Sequence, residues 1–441
     1  MRVLPSTTGL ARHAAWPLDR IKDHASKIGS GVTPRGGAAV YLDTGIPLLR
    51  SQNVHFDGLR LDDVAFIGED THAEMSGTHL QAGDVLLNIT GASIGRCTFV
   101  PSGFGDGNVN QHVCIIRPTA RLSSRYLSYC LAAPWGQDQI LSGFTGASRQ
   151  GLAQRELGEI QIPLPPVPEQ ERIADYLDAS CRAIGAAVAA KRQQISTLDE
   201  VSGSIVETAV TKGRYARARY APMDQDWIGS LPEHWQASRI KRVLSRVDYG
   251  ISVSTEREGK HPVLKMGNIQ GGEVIISKME FVDEVVADLL LANNDLLYNR
   301  TNSPDQVGKA ALFRGNKDDG VTFASYLVRL RVNHRVAPAF LNYVVNCRSF
   351  LAFARKLAIP SAQQSNLNST RYCRLLIPLP PLPEQQAICK ELDARLKELK
   401  DVVAIIDRQI ETLTAYRSSL IHECVTGQRR VPEVKQAQAH G

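Results

Sequence analysis

The sequence predicts an α+β protein in which two similar mixed α/β domains are joined by two long antiparallel helices that form a coiled coil, with pseudo-two-fold symmetry. Three observations support this prediction. A nine-residue proline-rich motif occurs twice, a long stretch of helical periodicity follows each copy, and the region between the copies is a diverged repeat of the region before the first one. The predicted segments are a first domain at 1–161, a first helix at 162–213, a linker and second domain at 214–376, a second helix at 377–428 and a disordered tail at 429–441.

The first domain is predicted to be an irregular, sheet-rich domain with some helix. Apolar runs at 46–49, 84–89 and 113–116 are separated by Gly and Pro, which is typical of short buried strands. One helical stretch is predicted at 124–132. The short strands and frequent turn residues therefore predict a sheet-rich domain of irregular structure.

The repeated motif is predicted to begin each long helix. It reads Ile-Pro-Leu-Pro-Pro-Val-Pro-Glu-Gln at 162–170 and Ile-Pro-Leu-Pro-Pro-Leu-Pro-Glu-Gln at 377–385. Pro168 and Pro383 suit the first helical position, because a proline there lacks an N–H that would have no partner within the helix. The glutamate that follows each proline falls in the first turn, where the helix dipole favours a carboxylate.

The two long helices are predicted to pair as a coiled coil, because apolar residues continue at steps of three and four through both. A core helix of a large bundle is the alternative, but roughly 44 residues at about 1.5 Å each give about 66 Å, longer than the core of one domain. Gly213 and Gly427 stand where left-handed helix stops are usual. Gly185 and Gly203 cost the first helix about 1 kcal/mol each relative to alanine, so it is expected to depend on the second. The predicted seam residues are Leu177, Ile184, Val188, Ile195, Leu198, Ile205, Leu392, Leu399, Val403, Ile406, Ile410, Leu413 and Leu420.

The second domain, which follows a linker at 226–235, is a diverged copy of the first. Residues 80–90 match 291–301, and residues 94–96 match 307–309, while the loops between them differ. Recognition usually resides in loops on a rigid scaffold. Two dissimilar domains on a near two-fold frame suit DNA, whose half-sites lie about one helical turn apart on one face. We therefore expect a split, asymmetric DNA target whose unread spacer is set by the helices.

Composition agrees with a globular protein of two or three domains. The chain has 441 residues, of which 43% are apolar and 22% charged, and its net charge of +6 is consistent with a polyanionic partner. Eight cysteines without a C-x-x-C pair favour reduced thiols over disulfides or a zinc site. No signal-peptide core and no run of 18 apolar residues is found, so a cytoplasmic protein without membrane contact is expected.

With these motifs in order, the chain resembles the specificity (S) subunit of type I restriction–modification systems over nearly its whole length. The motifs that carry the resemblance are the paired motif at 162–170 and 377–385, Gly83–Gly91 with Ser93–Arg96, Tyr298–Pro304 with Val307–Lys309, and Trp227–Trp235. The resemblance implies two target recognition domains, each reading half of a bipartite DNA site. It also implies that the helices act as a ruler and dock two methyltransferase (M) subunits, which restriction/translocase (R) subunits join. S-adenosylmethionine, ATP and Mg²⁺ are then expected on those partners, and no cofactor on this chain.

The resemblance also implies a DNA-recognition subunit without catalytic residues, and the sequence agrees with that absence and with the absence of a metal site. The sequence has neither the Asn-Pro-Pro-Tyr/Phe motif of adenine methyltransferases nor a Walker A loop. The glycine-rich run at 103–107 is interpreted as a plain loop. Asp248 and Glu258 imitate the carboxylates of a nuclease, but Gly259 interrupts the pattern and coincidence is favoured. A stand-alone DNA-modifying enzyme and a coiled-coil scaffold without sequence reading remain the alternatives.

Candidate DNA contacts are the polar and basic residues at the ends of the matched strands and in one further loop. Arg and Lys reach guanine edges or phosphates, whereas Asn and Gln pair with adenine. Asn88 and Asn299, like Thr90 and Thr301, are shared between the halves, so they have the alternative role of satisfying backbone groups in turns. The candidates are Arg50, Gln52, Asn53, Asn88, Thr90, Ser93, Arg96, Ser148, Arg149, Lys265, Asn268, Asn299, Arg300, Asn302, Lys309, Gln363, Gln364 and Asn366, of which Arg50, Gln52, Arg300 and Asn302 are the strongest for base reading.

Overall fold

The chain folds into two compact units. The computed structural model describes residues 15–144, 154–214, 219–225, 227–361 and 364–432. Unit 1 contains the residues up to Lys191 and those from Asp407 onward, and unit 2 contains Arg192–Ile406. The division falls inside both long helices, so each unit contains part of each helix. Among the described residues, no helix is long and apolar enough to cross a membrane.

Unit 1 is built on a four-stranded and a three-stranded sheet, together with two-stranded pairs. Its elements are β1 Leu18–Arg20, β2 Ala25–Ser30, β3 Ile46–Leu49, β4 Val54–His55, β5 Gly58–Leu59, β6 Ala65–Ile67, α1 Glu69–Glu74, β7 Val85–Asn88, β8 Cys97–Phe99, β9 Asn108–Val109, β10 Val113–Pro118, α2 Ser124–Ala132, α3 Pro134–Phe144, α4 Gln154–Gly158, β11 Gln161–Pro163 and the first part of α5 Val167–Lys212. The larger sheet is antiparallel with the order β2-β10-β7-β8, the smaller has the order β6-β3-β9, and the pairs are β1-β11 and β4-β5. The strand predicted at 46–49 and the helix predicted at 124–132 are found at those residues.

Both faces of the larger sheet are covered, which explains why its central strands are continuous apolar runs. Val85 and Leu87 of β7 lie in the same core as Tyr126 of α2. Leu86, between them, points to the opposite face and packs with Leu49 of β3. Because successive side chains of a strand point to opposite faces, a run without polar residues is needed to fill both cores.

Unit 2 repeats this plan and extends it. Its elements are β12 Tyr220–Gln225, β13 Ile228–Pro232, β14 Gln236–Arg239, β15 Leu244–Tyr249, β16 His261–Leu264, β17 Ile269–Gln270, β18 Gly272–Val274, β19 Glu280–Val282, β20 Leu296–Asn299, β21 Thr301–Asn302, β22 Ala310–Leu312, β23 Thr322–Phe323, β24 Leu327–Val332, α6 Pro338–Asn346, α7 Arg348–Lys356, β25 Ile359–Ser361, β26 Gln364–Asn366, α8 Ser369–Tyr372, β27 Leu376–Leu379 and the first part of α9 Leu382–Val425. The order β15-β24-β20-β22 matches β2-β10-β7-β8, and β19-β16-β23 matches β6-β3-β9. The prediction of two similar mixed domains is confirmed.

The stretch that the sequence suggested as a linker belongs to the core of unit 2. The buried side chains of Trp227, Leu231 and Trp235 lie in that core. The indole Nε1 of Trp227 donates to the carbonyl oxygen of Leu376 at 3.2 Å, and its ring meets the edge of the Phe350 ring at 5.2 Å between centroids. Two buried tryptophans hold this segment against the domain, so it is not a free connection.

The long helices start and stop close to the predicted positions. They begin at Val167 and Leu382, one residue before the prolines assigned to the first helical position. Gly213 (φ +72°) and Gly427 (φ +75°) are left-handed, as expected of residues that end a helix. All of the predicted seam residues are buried or half-buried. The continuous three- and four-residue spacing therefore identified the inner face of both helices.

Within each unit the helices pack with opposite chain directions. In unit 1 the buried core residues of the pair are Ile173, Leu177, Cys181 and Ile184 of α5 with Leu420, Ile421, Cys424 and Val425 of α9. In unit 2 the two helices share one core, to which α5 contributes Ile205, Val206, Ala209 and Val210 and α9 contributes Ile388, Cys389 and Leu392. The start of one helix thus meets the end of the other, which confirms the antiparallel arrangement. Lys191 interrupts the seam and donates to Gln409 Oε1 at 2.6 Å.

Gly203 lowers the helix propensity of α5 but makes room for a side chain of unit 2. A Cβ at this position would lie 2.6 Å from Nε of Arg348. The Arg348 guanidinium crosses the helix here and donates to the carbonyl oxygen and to Oδ2 of Asp199, both at 3.0 Å. At Gly185, by contrast, a Cβ would meet no heavy atom of the described chain within 4 Å.

The described chain continues past the end of α9. Arg429 pairs with Glu423 at 2.9 Å, and the buried side chain of Val431 belongs to the core of unit 1. Arg429 and Val431, in the segment predicted to be a disordered tail, are thus held in place by an ion pair and by an apolar core. Residues 433–441 lie outside the described part of the chain.

The cysteines are expected to be chemically inert in the folded protein. All eight are free and buried, and burial raises the pKa of Cys114 and of Cys347 to about 12. Since the thiolate is the reactive form, an aromatic disulfide reagent at pH 8 should label essentially no thiol until denaturant is added, and then eight. A thiol that reacts quickly in the native chain would contradict the burial of that residue.

Candidate nucleic-acid interface

Three loops of unit 1 come together at the ends of the matched strands. The amide Nδ2 of Asn88, at the end of β7, donates to the carbonyl oxygen of Ser51 at 2.7 Å and to Oγ of Ser93 at 3.2 Å. Asn88 thereby joins the loop after β3 to the loop after β7. The hydroxyl of Thr90 lies 2.6 Å from Nδ1 of His112, in the loop before β10. These bonds bring the loops after β3 and β7 and the loop before β10 side by side.

The two strongest candidates of unit 1 share one acidic residue as their partner. An Nη of Arg50 donates to the carbonyl oxygen of Asp63 at 3.1 Å, and Nε2 of Gln52 donates to Oδ2 of Asp63 at 2.5 Å. The Arg50 guanidinium also lies over the Tyr41 ring, 5.8 Å from its centroid. Gln52 is exposed and Arg50 half-buried. Both side chains are held in place at the surface by Asp63.

The equivalent loop of unit 2 has different chemistry on the same backbone. Lys265 occupies the position of Arg50 and pairs with Oε2 of Glu280. Its ammonium also donates to the hydroxyl of Thr255 at 3.0 Å. The position of Gln52 is taken by Gly267. Two loops of the same shape therefore present an arginine and an amide in one unit and a lysine without an amide in the other.

Arg300 lies beside two half-exposed tyrosines in unit 2. Its guanidinium carbon is 5.1 Å from the centroid of the Tyr249 ring, and Nη1 donates to the carbonyl oxygen of Ser325 at 3.3 Å. The backbone N–H of Arg300 donates to the carbonyl oxygen of Tyr326 at 3.0 Å. Tyr249 and Tyr326 are each nearly half exposed. Sequence reasoning missed both tyrosines, although Tyr326 directly precedes the matched strand β24, where His112 precedes β10.

Two predicted contacts have a structural role. Asn53 and Asn268 are buried, and each amide oxygen accepts the backbone N–H of the residue three positions earlier. Nδ2 of Asn53 donates to the carbonyl oxygen of Arg60 at 2.9 Å, and Nδ2 of Asn268 to that of Ile275 at 2.8 Å. These amides close the loops that carry Arg50 and Lys265. The prediction that they contact DNA is therefore corrected, because neither presents its amide to solvent.

Asn88 and Asn299 are likewise fully buried at the ends of the matched strands. The alternative raised for shared residues, that they organise turns, fits Asn88 because it bonds two loops. Neither amide atom of Asn299 has a hydrogen-bond partner in the described part of the chain. Buried amides without partners are rare and costly, and this one lies directly beside Arg300. Neither residue can reach a base edge in this arrangement.

The remaining candidates lie around the same loops. Arg96 and Ser93 are half-buried, and Arg96 forms no ion pair with any described residue. In unit 2, Asn302 accepts the N–H of Ser303 at 2.8 Å and Lys309 donates to Oε1 of Gln306 at 2.8 Å. Strand β26 carries Gln364 and Asn366, and Nδ2 of Asn366 donates to the hydroxyl of Thr301 at 2.8 Å. The candidates Ser148, Arg149 and Gln363 lie outside the described residues.

Asp248, which imitates a nuclease carboxylate in the sequence, is occupied by two arginines. Its Oδ2 accepts from Nη2 of Arg329 at 2.7 Å and its Oδ1 from Nε of Arg246 at 2.8 Å. Burial raises the pKa of this carboxyl, but the bonds from Arg329 and Arg246 outweigh it and hold the pKa below its usual value. The described residues include no group of His, Cys, Asp and Glu that could hold a metal ion. The coincidence favoured from the sequence is the better interpretation of Asp248.

Comparison with known proteins gives consistent matches. Residues 63–196 match the family described as the type I restriction modification DNA specificity domain. The chain is 21% identical over 402 residues to the type I restriction enzyme EcoKI specificity subunit of Escherichia coli (strain K12), an alignment that covers 88% of this chain and 83% of that protein. It is 26% identical over 205 residues to the putative type I restriction enzyme MjaX specificity subunit of Methanocaldococcus jannaschii, where 45% of this chain matches 47% of the relative.

Two solved structures share the fold. A chain in a structure on the complex assembly and conformational transition of the type I R-M system superposes with a TM-score of 0.71 at 15% identity, covering 94% of this chain and 98% of that one. The HsdS subunit from Thermoanaerobacter tengcongensis superposes with a TM-score of 0.52 at 16% identity, covering 94% of this chain and 97% of that one. At such identities these likenesses establish the fold. Together with the family match they confirm the resemblance to specificity subunits.

Proposed function

We propose that this chain, a relative of the type I restriction specificity subunits with their DNA specificity domain at residues 63–196, reads a bipartite, asymmetric DNA site with its two units. The observation that carries the proposal is that equivalent loops on a shared framework hold different side chains. Arg50 corresponds to Lys265, and His112 corresponds to Tyr326. Different side chains in the same loops favour different base edges, so the two half-sites should differ.

The proposal includes partner subunits. We place two methyltransferase (M) subunits on the long helices and restriction/translocase (R) subunits beside them. The relatives' name, specificity subunit of a type I restriction enzyme, and the fold shared with a chain from a study of type I R-M complex assembly support an assembly with further subunits. In this proposal S-adenosylmethionine, ATP and Mg²⁺ act on the partners, and this chain supplies no catalytic group. The seam of α5 and α9 faces inward, so their outer faces are left for such docking.

Mapping of methylated adenines tests the proposal. A host that lacks other systems would carry this chain with its methyltransferase partner, and genomic DNA would be sequenced for modified bases. We expect one motif made of two different short sequences separated by a fixed, unread gap. A continuous or palindromic motif would contradict the proposal. Purified chain that alone methylates or cuts DNA would support a stand-alone enzyme, and absence of any site-specific binding would support a scaffold.

Arg300→Ala is expected to weaken binding to the mapped site by about 1–3 kcal/mol and to relax the preference at one position. The reason is that Arg300 is half-buried beside Tyr249 and Tyr326, where its guanidinium has a defined position from which to reach a base edge. Binding would be measured against a panel of duplexes, each changed at one position. Lys397→Ala, an exposed residue of α9, is the control. Equal weakening on every duplex would show a phosphate contact instead.

A further inference from the structure

Units 1 and 2 have an equivalent surface at the start of each domain. In unit 1 it consists of β1 with the turn that follows and of α4; in unit 2, of β14 with its turn and of α8. The backbone contact is the same, because Ile21 N–H donates to the oxygen of Ile160 and Ile240 N–H to that of Leu375, both at 3.0 Å. In each copy the strand ends and the turn starts with the sequence Arg-Ile-Lys, at 20–22 and 239–241. The two surfaces can therefore be compared position by position.

In unit 1 the basic side chains of β1 and its turn are paired with acids of the same surface. Nε of Arg20 lies 3.0 Å from the carboxylate of Asp23, and its Nη1 lies 3.5 Å from that of Glu159. Lys22 is also paired with Glu159. Every basic side chain of β1 and its turn thus has an acidic partner within the same surface.

In unit 2 the acids are replaced by arginines. Arg242 stands at the position of Asp23, and Arg374 at that of Glu159. The basic surface, as we call it, comprises Arg239, Lys241, Arg242, Arg371 and Arg374, and all five are exposed. Within the described chain none of the five forms an ion pair. Arg371 donates to the carbonyl oxygen of Leu357 at 3.1 Å, a neutral acceptor that leaves its charge uncompensated.

The basic surface adjoins the candidate interface. The hydroxyl of Tyr249, which stacks on Arg300, lies 2.7 Å from Oγ of Ser369, the first residue of α8. Arg371 and Arg374 follow within the next five residues. Five uncompensated positive charges repel one another unless an anion lies against them, and a polyanion that touches Tyr249 and Arg300 would extend over this surface.

We propose that the basic surface binds phosphates of the DNA that flanks the half-site read by unit 2, and that unit 2 therefore supplies more of the sequence-independent affinity than unit 1. This inference rests on the proposed DNA-reading function. Each phosphate neutralised by Lys or Arg releases counterions, so the logarithm of the affinity falls with the logarithm of the salt concentration by about 0.9 per contact. An acidic protein surface would satisfy the same charges, but the contact between Tyr249 and Ser369 favours DNA.

The test uses the full-length chain and a duplex of unrelated sequence, titrated at several salt concentrations. Arg242→Asp combined with Arg374→Glu places in unit 2 the residues that unit 1 already has at these positions. We expect the affinity to fall about tenfold or more near 0.1 M salt and the salt slope to fall by about 2, because two arginines no longer neutralise phosphates. The reciprocal pair in unit 1, Asp23→Arg with Glu159→Arg, is expected to raise both affinity and slope.

An unchanged slope in both variants would overturn the proposal. If the unit 2 variant binds DNA normally but no longer co-purifies with the methyltransferase partner, the surface docks protein and the proposal is again wrong. Because the duplex carries no target site, this result is independent of sequence reading. A wild-type chain that binds DNA without any site preference would contradict the proposed function while leaving the salt slopes interpretable.

Discussion

Replacing Arg329 by alanine is expected to destabilise unit 2 by about 3–5 kcal/mol, because it removes the fully buried partner of an ion pair and leaves Asp248 with only the more exposed Arg246. The Arg329 side chain has no exposed surface. Its Nε and Nη2 donate to Oδ2 of Asp248 at 3.0 and 2.7 Å, Nη1 donates to the carbonyl oxygen of Leu290 at 2.9 Å, and Oδ2 of Asp295 lies 3.6 Å away. Nη2 also donates to the carbonyl oxygen of Asp288 at 2.6 Å, so truncation would leave two carboxylates and two carbonyl oxygens without this donor.

The same pair makes unit 2 sensitive to acid. Because the pKa of Asp248 is held below its usual value in the folded chain, its contribution is present above the unfolded pKa of about 4 and is lost as the pH falls through the lower folded value. The wild-type chain should lose stability over this acidic range. In Arg329→Ala this part of the pH dependence should shrink, since the main donor to the carboxylate is gone.

Arg246→Ala is the matched control. Arg246 binds the same carboxylate at 2.8 Å, but its side chain is 37% exposed and retains water as an alternative partner. We expect a much smaller loss of stability than for Arg329→Ala. Denaturant unfolding of the full chain would give the stability, and hydrogen exchange of β15 and β24 would assign the loss to unit 2. Equal effects of the two substitutions would contradict the importance of burial.

Unit 1 shows that this ion pair is not a requirement of the fold. In the equivalent strand pair, Ile115 faces Gly29, where unit 2 has Arg329 facing Asp248. An apolar residue fills the position without any charge. This explains why the sequence did not reveal Arg329 as a core residue: its partner is 81 residues away, and only the strand register brings the two together.

Periodic features were predictable because local spacing determines them. The coiled-coil seam, the stop at Gly213 and the helix at Ser124–Ala132 follow from apolar steps and from glycine, and the structure has them at those residues. For the site, the sequence predicted which loops take part but not the role of each residue in them. The ends of the predicted strands located Arg50 and Arg300. The burial of Asn53 could not be predicted, because it depends on a hydrogen bond to the carbonyl oxygen of Arg60 that no periodicity encodes.

The repeated glutamine of the proline-rich motif is a second feature whose role required the structure. Gln170 and Gln385 have no exposed surface. The amide oxygen of Gln385 accepts the N–H of Ala337 at 2.7 Å, and its Nε2 donates to the carbonyl oxygens of Arg335 at 3.1 Å and Pro380 at 2.8 Å. Gln170 makes the equivalent three bonds in unit 1. Its amide oxygen accepts the N–H of Ser123 at 2.8 Å, and its Nε2 donates to the carbonyl oxygens of Arg121 and Pro165. Each glutamine ties the segment before a domain helix to the start of a long helix.

Gln385→Ala is therefore expected to destabilise unit 2 by about 2–4 kcal/mol. Each hydrogen bond contributes about 1 kcal/mol, and the buried backbone groups left behind lose their partner as well. Gln386→Ala, at the next and exposed position, should change the stability by no more than about 0.5 kcal/mol. Hydrogen exchange should increase at the first turns of α6 and α9 in the first variant only. Unchanged hydrogen exchange at these turns would contradict the prediction, because the Gln385 amide would then not hold the domain to the long helix. The repetition of the proline-rich motif would in that case have to be explained by its prolines alone.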